Sequence, residues 1–166
     1  MRGAADALQG DVVHALKQME PSYEATNGYG FLGVLPGVIL ADAMARVDRN
    51  QEALALITGV LENTANPERG SFISEAWRIR GEMVLRQSAA NSQEAERFLG
   101  TALRIADEQG ANVFRLNAGI PLARMLAEGG RRDEAKSVLD HVNAIRLDEW
   151  DGPEIAIADQ LRSSIS

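Results

Sequence analysis

The sequence has no cysteine among its 166 residues, so disulfides, thiolate metal sites and cysteine nucleophiles are all excluded. Aromatic residues make up only 5% of the chain, proline accounts for five residues, and apolar residues make up 45%. Alanine and leucine, which are good helix formers, are plentiful. This composition is typical of a helical globular domain with a buried core, and not of a disordered chain.

The sequence also lacks a basic excess and a long apolar run. Its formal net charge of −7 is the wrong sign for contacts with nucleic-acid phosphates. The most apolar stretch, residues 31–45, is too short to span a membrane and is interrupted by Asp42. The N-terminus has no apolar stretch of the signal-peptide kind. We therefore predict a cytoplasmic protein that binds neither nucleic acid nor membrane.

What the sequence does contain is a repeat with a period near 40 residues. An alanine, preceded by glutamate in three copies, is followed four residues later by an apolar residue and three further on by a small or apolar one. This spacing places the marked residues on one helical face, where alanine lets another helix approach closely. The copies are Ala15-Met19-Ser22, Ala53-Ile57-Val60, Ala95-Leu99-Ala102 and Ala135-Leu139-Val142.

A second helical stripe precedes each of the last three copies. It centres on a small residue, Ala41, Gly81 or Ala123, where we expect two helices to cross. Trp77 lies one turn before Gly81 on the same face. Two stripes in every period predict a succession of helix pairs.

Turn signals between the stripes set the predicted helix bounds. Pro36 and Pro121 fall inside predicted helices, so a kink or a shifted start is expected at each. The Gly152-Pro153 dipeptide marks a further helix start. The predicted helices cover residues 11–26, 30–46, 50–64, 71–87, 92–109, 112–128, 132–146 and 153–164.

These helices predict an all-α fold, a right-handed α-solenoid of antiparallel pairs in which each pair stacks on the next. Residues 1–166 are interpreted as a single domain. Residues 1–10 are expected to be the last turns of a helix whose first half is absent, so the chain is either a fragment or has a degenerate first repeat. Such an open end favours dimerisation or an upstream domain. The predicted pairs are 1–26, 30–64, 71–109 and 112–146, with a capping helix at 153–164.

At these residues the chain resembles a known family. The segment 75–82, EAWRIRGE, is similar to part of the C-terminal tetratricopeptide (TPR) regions of bacterial class III adenylate cyclase-like proteins. Further segments, among them 102–106 and 130–135, extend the resemblance over roughly residues 70–160. It implies a regulatory TPR tail, since that family's catalytic residues lie in upstream cyclase and ATPase domains. Similar repeats occur in the sensor regions of bacterial transcription activators.

We found no pattern that predicts catalysis or a cofactor. His14 and His141 lie on different repeats and have no metal-ligand spacing. Residues 28–33 fit the pattern G-x-G-x-x-G, but a helix precedes them and no strand follows, which favours a turn between helices. We predict no enzymatic activity, no catalytic residue, no metal and no cofactor.

The candidate site is the concave face, which the first helix of each pair should line. A row of Arg78, Arg86 and Arg124 would suit an acidic side chain or a terminal carboxylate. Alternatively these arginines form a solvated face with pairs such as Arg78–Glu82 and Glu82–Arg86. The residues expected to be exposed there are Leu35, Val38, Asp42, Arg46, Glu75, Arg78, Glu82, Arg86, Asn117, Ile120 and Arg124.

The favoured hypothesis is a protein-interaction or sensor module whose partner is another protein or a peptide. The alternative is a self-associating module, in which Leu35 and Val38 seat a second copy of the chain as a homodimer.

Overall fold

The computed structural model describes residues 2–26, 30–64, 70, 72–144 and 152–165, and these form helices and no strand. The predicted all-α class is confirmed. The helices are α1 (Arg2–Thr26), α2 (Gly30–Arg46), α3 (Asn50–Asn63), α4 (Ile73–Gln87), α5 (Ser92–Glu108), α6 (Asn112–Glu128), α7 (Arg132–Asn143) and α8 (Pro153–Ser164), with a 3-10 turn at Ala89–Asn91.

The helices form two layers. Each of α1 to α7 packs against the next helix, and α2, α4, α6 and α8 also contact one another in succession. The described parts of α1, α3, α5 and α7 do not pack closely on one another in this way, although the side chain of His141 in α7 reaches Asp107 in α5. The layer of α2, α4, α6 and α8 therefore has its helices closer together than the layer of α1, α3, α5 and α7. A stack built in this way curves, with α2, α4, α6 and α8 on its concave side.

Two glycines set the distance between paired helices. A Cβ atom at Gly37 of α2 would lie 2.5 Å from Cγ2 of Val60 in α3. A Cβ at Gly119 of α6 would lie 2.5 Å from Cγ1 of Val142 in α7. Because Cβ atoms do not approach other carbons this closely, any residue other than glycine would force the valine side chain or its helix to shift.

The last three copies of the repeat form the core between the layers. All nine of their marked residues are buried. The predicted crossing residues Ala41 and Ala123 are fully buried, and Gly81 packs against Leu99 of α5. The helical spacing in these copies therefore identified the buried face correctly.

The first copy of the repeat was placed wrongly. Ala15 is only half-buried, and Ser22 is exposed and donates its hydroxyl to the carbonyl of Gln18. The face that packs on the core is shifted by one residue, because the larger Leu16 removes more apolar area from water than Ala15 can. This face comprises Val12, Leu16, Met19 and Tyr23.

Two further expectations need correction. Helix α1 runs without a break from Arg2, so residues 2–10 do not end a separate helix; Gly10 costs a helix only about 1 kcal/mol and does not stop it. Helices α2 and α6 begin where predicted and continue through Pro36 and Pro121, so neither start is shifted; a kink at each proline stays a prediction. Residues 28 and 29 of the glycine-rich segment lie outside the described residues, and Gly30 begins α2.

Candidate partner-binding groove

Two adjoining cavities lie on the concave side of the stack. One has a volume of about 560 Å³ and is lined mainly by α2, α4 and α6, with one residue from α8. The other has a volume of about 340 Å³ and is lined by α4, α6 and α8. Asn117 of α6 and Glu154 of α8 line both cavities, so the two form one surface, which we call the inner groove.

The structure brings all eleven predicted residues to the inner groove. The larger cavity is lined by Leu35, Val38, Asp42, Arg46, Glu75, Arg78 and Asn117. The smaller cavity is lined by Glu82, Arg86, Asn117, Ile120 and Arg124. That these residues bind a partner stays a prediction.

Only four of these residues are exposed as expected, four are half-buried and three are buried. Val38, Glu75 and Ile120 are 5%, 7% and 7% exposed. Val38 and Ile120 belong to the apolar core, since each also faces the neighbouring helix of the stack. They form the floor of the inner groove and not its open surface.

Arg78 lies at the centre of a buried ion network. Its guanidinium is 2.9 Å from Glu75, 2.9 Å from Glu82 and 3.3 Å from Asp42, and its side chain is 13% exposed. Burial lowers the pKa of Arg78, but the charges and hydrogen bonds of Glu75 and Glu82 outweigh burial and raise the pKa above its usual range. Because three carboxylates already surround it, this guanidinium is not available to an external carboxylate.

The other two arginines of the predicted row differ from Arg78. Arg86 donates to the carbonyl of Ala45 at 3.2 Å and lies 3.9 Å from Glu82. Arg124 is exposed and has no ion-pair partner among the described residues. The predicted pairing of Glu82 with Arg78 and Arg86 is therefore present. The row does not present three open cations.

The aromatic end of the inner groove was missed by the sequence analysis. Phe72 and Phe114 line the larger cavity, with their ring centroids 5.6 Å apart. Phe72 has a φ of 68°, a left-handed conformation that costs a side-chain-bearing residue about 1–2 kcal/mol. Because of this conformation, helix α4 begins at Ile73 and not at the predicted residue 71. No periodic pattern includes Phe72, because it precedes its helix.

Glu154 was also missed. It lies in the first turn of α8 and lines both cavities. One of its carboxylate oxygens, Oε2, is buried and accepts no hydrogen bond from the described residues. The packing of α8 beside α6 brings this carboxylate to the inner groove, so no pattern along the chain could have identified it.

The described ranges contain no arrangement typical of a metal site or of a membrane-spanning helix. No group of three or more histidine, aspartate or glutamate side chains there has the arrangement of a metal site. His14 lies 3.2 Å from Gln18, and His141 lies 2.9 Å from Asp107, so each has a local partner. None of the described helices is both long and apolar enough to cross a membrane.

Comparisons with known proteins support the architecture. No protein-family model and no curated protein matches the chain. Two solved structures share its fold, with TM-scores of 0.71 and 0.69, and both contain nearly identical TPR-like repeats of a kinesin light chain-like protein from Podosopora anserina. Each of these structures is 19% identical in sequence to this chain. The matched region covers 98% of this chain and 82% of the chain in the solved structure.

The fold is that of a TPR-like repeat solenoid. At 19% identity the likeness carries the fold alone. The resemblance to bacterial adenylate cyclase-like tails gains no support from these comparisons and stays a prediction from the sequence.

Proposed function

We propose that this TPR-like solenoid is a protein-interaction module that holds a segment of a partner protein in the inner groove. The observation that carries the proposal is the pair of adjoining cavities along α2, α4, α6 and α8. Concave surfaces of stacked helix pairs are well suited to extended segments, because successive inner helices offer contacts at regular intervals.

The distribution of exposed apolar side chains supports a macromolecular partner. Five large apolar residues are exposed among the described residues, and Leu35, Ile39 and Ile157 of these line the inner groove. Exposed apolar groups gathered on a concave surface lower the free energy of a complex when a partner removes them from water.

The domain organisation is part of the same proposal. We propose that the stacked helices act as one unit with α8 as its cap, since α8 packs on both α6 and α7. A regulatory or sensor role, such as that of a cyclase-like tail, would require that binding of the partner in the inner groove alters the activity of another domain or protein. Self-association through the same face is the competing hypothesis.

The test uses one substitution in the inner groove and one matched control outside it. Ile39 in the groove is 46% exposed and Val13 on α1 is 42% exposed, so neither Ile39→Asp nor Val13→Asp buries a charge in the core. Short peptides are selected from a random library on the unmodified chain, and their dissociation constants are measured for all three proteins. We expect Ile39→Asp to weaken binding roughly tenfold or more and Val13→Asp to leave it unchanged.

Equal binding by all three proteins would contradict the proposal. Light scattering over a range of concentrations tests the competing hypothesis directly. A concentration-dependent dimer that Ile39→Asp abolishes would show that a second copy of the chain occupies the inner groove.

A further inference from the structure

We infer that the inner groove selects a segment carrying a lysine or arginine flanked by apolar side chains, and that Glu154 is the carboxylate that receives this cation. The inference rests on the proposed function and specifies the chemistry of the partner.

The other carboxylates at the centre of the groove already have partners. Asp42, Glu75 and Glu82 all lie within 3.3 Å of Arg78. Asp42 also accepts a hydrogen bond from Arg46 at 2.8 Å. An incoming cation would have to displace a pair that is already formed, so these three groups offer no open site.

Glu154 differs because its Oε2 atom is buried and accepts no hydrogen bond from the described residues. A carboxylate with one oxygen closed to water and without a donor is poorly compensated, so a cation that contacts the part of Glu154 lining the groove gains more here than at a fully solvated carboxylate. Lysine and arginine side chains provide such charged donors on long stems that reach into a groove.

Arg124 lines the smaller cavity together with Glu154 and has no ion-pair partner among the described residues. It is exposed, however, and water satisfies an exposed guanidinium. The difference in burial therefore favours a cationic partner residue over the acidic one that the arginine row predicted. The net charge of −7 also attracts a cationic segment over longer distances.

The surroundings of Glu154 define the flanking residues. It lies where the two cavities meet, with Phe72 and Phe114 lining the larger cavity and Leu85 and Ile157 lining the smaller one. A segment that places its cation at Glu154 would therefore place neighbouring side chains against apolar walls on either side.

The experiment begins with the short-peptide library selected on the unmodified chain. Selected sequences should be enriched in lysine or arginine next to apolar residues. The strongest peptide is then measured by fluorescence anisotropy against Glu154→Gln, which removes the charge and keeps the shape. Glu128→Gln is the matched control, because Glu128 lines the same cavity but is exposed.

We expect Glu154→Gln to weaken binding roughly tenfold or more, and Glu128→Gln to change it less than about threefold. Replacing the peptide's lysine by norleucine, or its arginine by citrulline, should cause a similar loss. The two changes together should cost little more than either alone, since they remove the same interaction. Glu154→Asp keeps the charge and should recover part of the affinity, which separates lost charge from altered folding.

The possible failures are distinguishable. One contrary result is a set of peptides whose affinity falls with Ile39→Asp but not with Glu154→Gln; another is a set enriched in aspartate and glutamate. Either result would overturn this inference and leave the proposed function standing. If no selected peptide depends on Ile39, the proposed function fails and the inference fails with it.

Discussion

In the α2–α3 and α6–α7 pairs, the inner and outer helices cross at a glycine and a valine, Gly37 with Val60 and Gly119 with Val142. The two pairs share one register, since each of these residues in α6–α7 follows its counterpart by 82 positions. In the α4–α5 pair the same register places Trp77 on the inner helix and Ala102 on the outer one. In this register the large side chain lies on the inner helix instead of the outer one, so we expect close packing to fix the total volume at the crossing and not which helix supplies it.

The turn before the outer helix also distinguishes the α4–α5 pair from the α2–α3 and α6–α7 pairs. In two pairs an arginine lies four residues before the marked alanine and bridges two glutamates, one three residues later and one on the preceding outer helix. These contacts are Arg49 with Glu52 and Glu20, and Arg131 with Glu134 and Glu96. The α4–α5 pair has Asn91 at this position, and its amide donates to the carbonyl of Val84 at 3.3 Å.

The largest effect is expected from exchanging the residues at the crossing of the α4–α5 pair. Trp77→Gly should lower the free energy of unfolding by about 3–5 kcal/mol, because it leaves a cavity beside Phe98, whose ring centroid is 5.4 Å from that of Trp77. Ala102→Val alone should lower it by about 1–3 kcal/mol through overpacking. The double variant, which restores the glycine–valine arrangement, should lose at least about 1 kcal/mol less than the sum of the two. Urea unfolding measures the free energy of unfolding of all three variants. If the loss in the double variant equals the sum of the two single losses, the shared register is contradicted.

A smaller effect is expected at the crossing of the α6–α7 pair. Gly119→Ala should lower the free energy of unfolding by about 1–3 kcal/mol, since the new methyl group meets the stiff side chain of Val142. Gly100→Ala in α5 is the control, because no atom lies within 4 Å of its new Cβ. That substitution should stabilise the protein by up to about 1 kcal/mol through helix propensity. Thermal unfolding compares the two, and a change of the same sign in both would show that Val142 yields to the methyl group.

The smallest effect concerns the arginine bridges and depends on pH. Hydrogen bonds from Arg49 and Arg131 hold the pKa values of Glu52 and Glu134 below their ordinary value of 4.5. A carboxylate with a lowered pKa contributes stability above its unfolded-state pKa and loses it as the pH falls through the folded-state value. The double variant Arg49→Ala, Arg131→Ala should therefore unfold at lower urea than the unmodified chain at pH 7, and at nearly the same urea in strong acid. A difference that stays constant from pH 7 into strong acid would exclude this origin, and Asn91→Ala should show no such pH dependence.

The parts of this molecule that follow helical periodicity were predictable from the sequence. Burial of Ala53, Ile57 and their counterparts follows from spacings of four and three, because a helix fixes which residues share a face. The same reasoning failed for α1, where Ala15 fits the spacing but the larger Leu16 lies in the core. Periodicity alone does not weigh the sizes of neighbouring side chains.

The groove was predictable only in outline. Counting along α2, α4 and α6 placed the predicted residues on the concave side, but it left open whether Arg78 is a free cation or pairs with Glu82. Arg78 is also held by Asp42 of the neighbouring inner helix, a contact between residues 36 positions apart that no pattern within one helix indicates. Phe72 and Glu154 enter the groove from helix ends, where the stacking of helices decides position and no pattern within one helix applies.

The most direct test of the account is an amide NMR titration of the 18.0 kDa chain with a peptide selected from the library. We predict that the largest shifts fall on inner-groove residues of all four inner helices, among them Ile39, Asn117 and Glu154. Shifts gathered instead on the outward faces of α3, α5 and α7 would contradict the claim that this solenoid binds its partner in the inner groove.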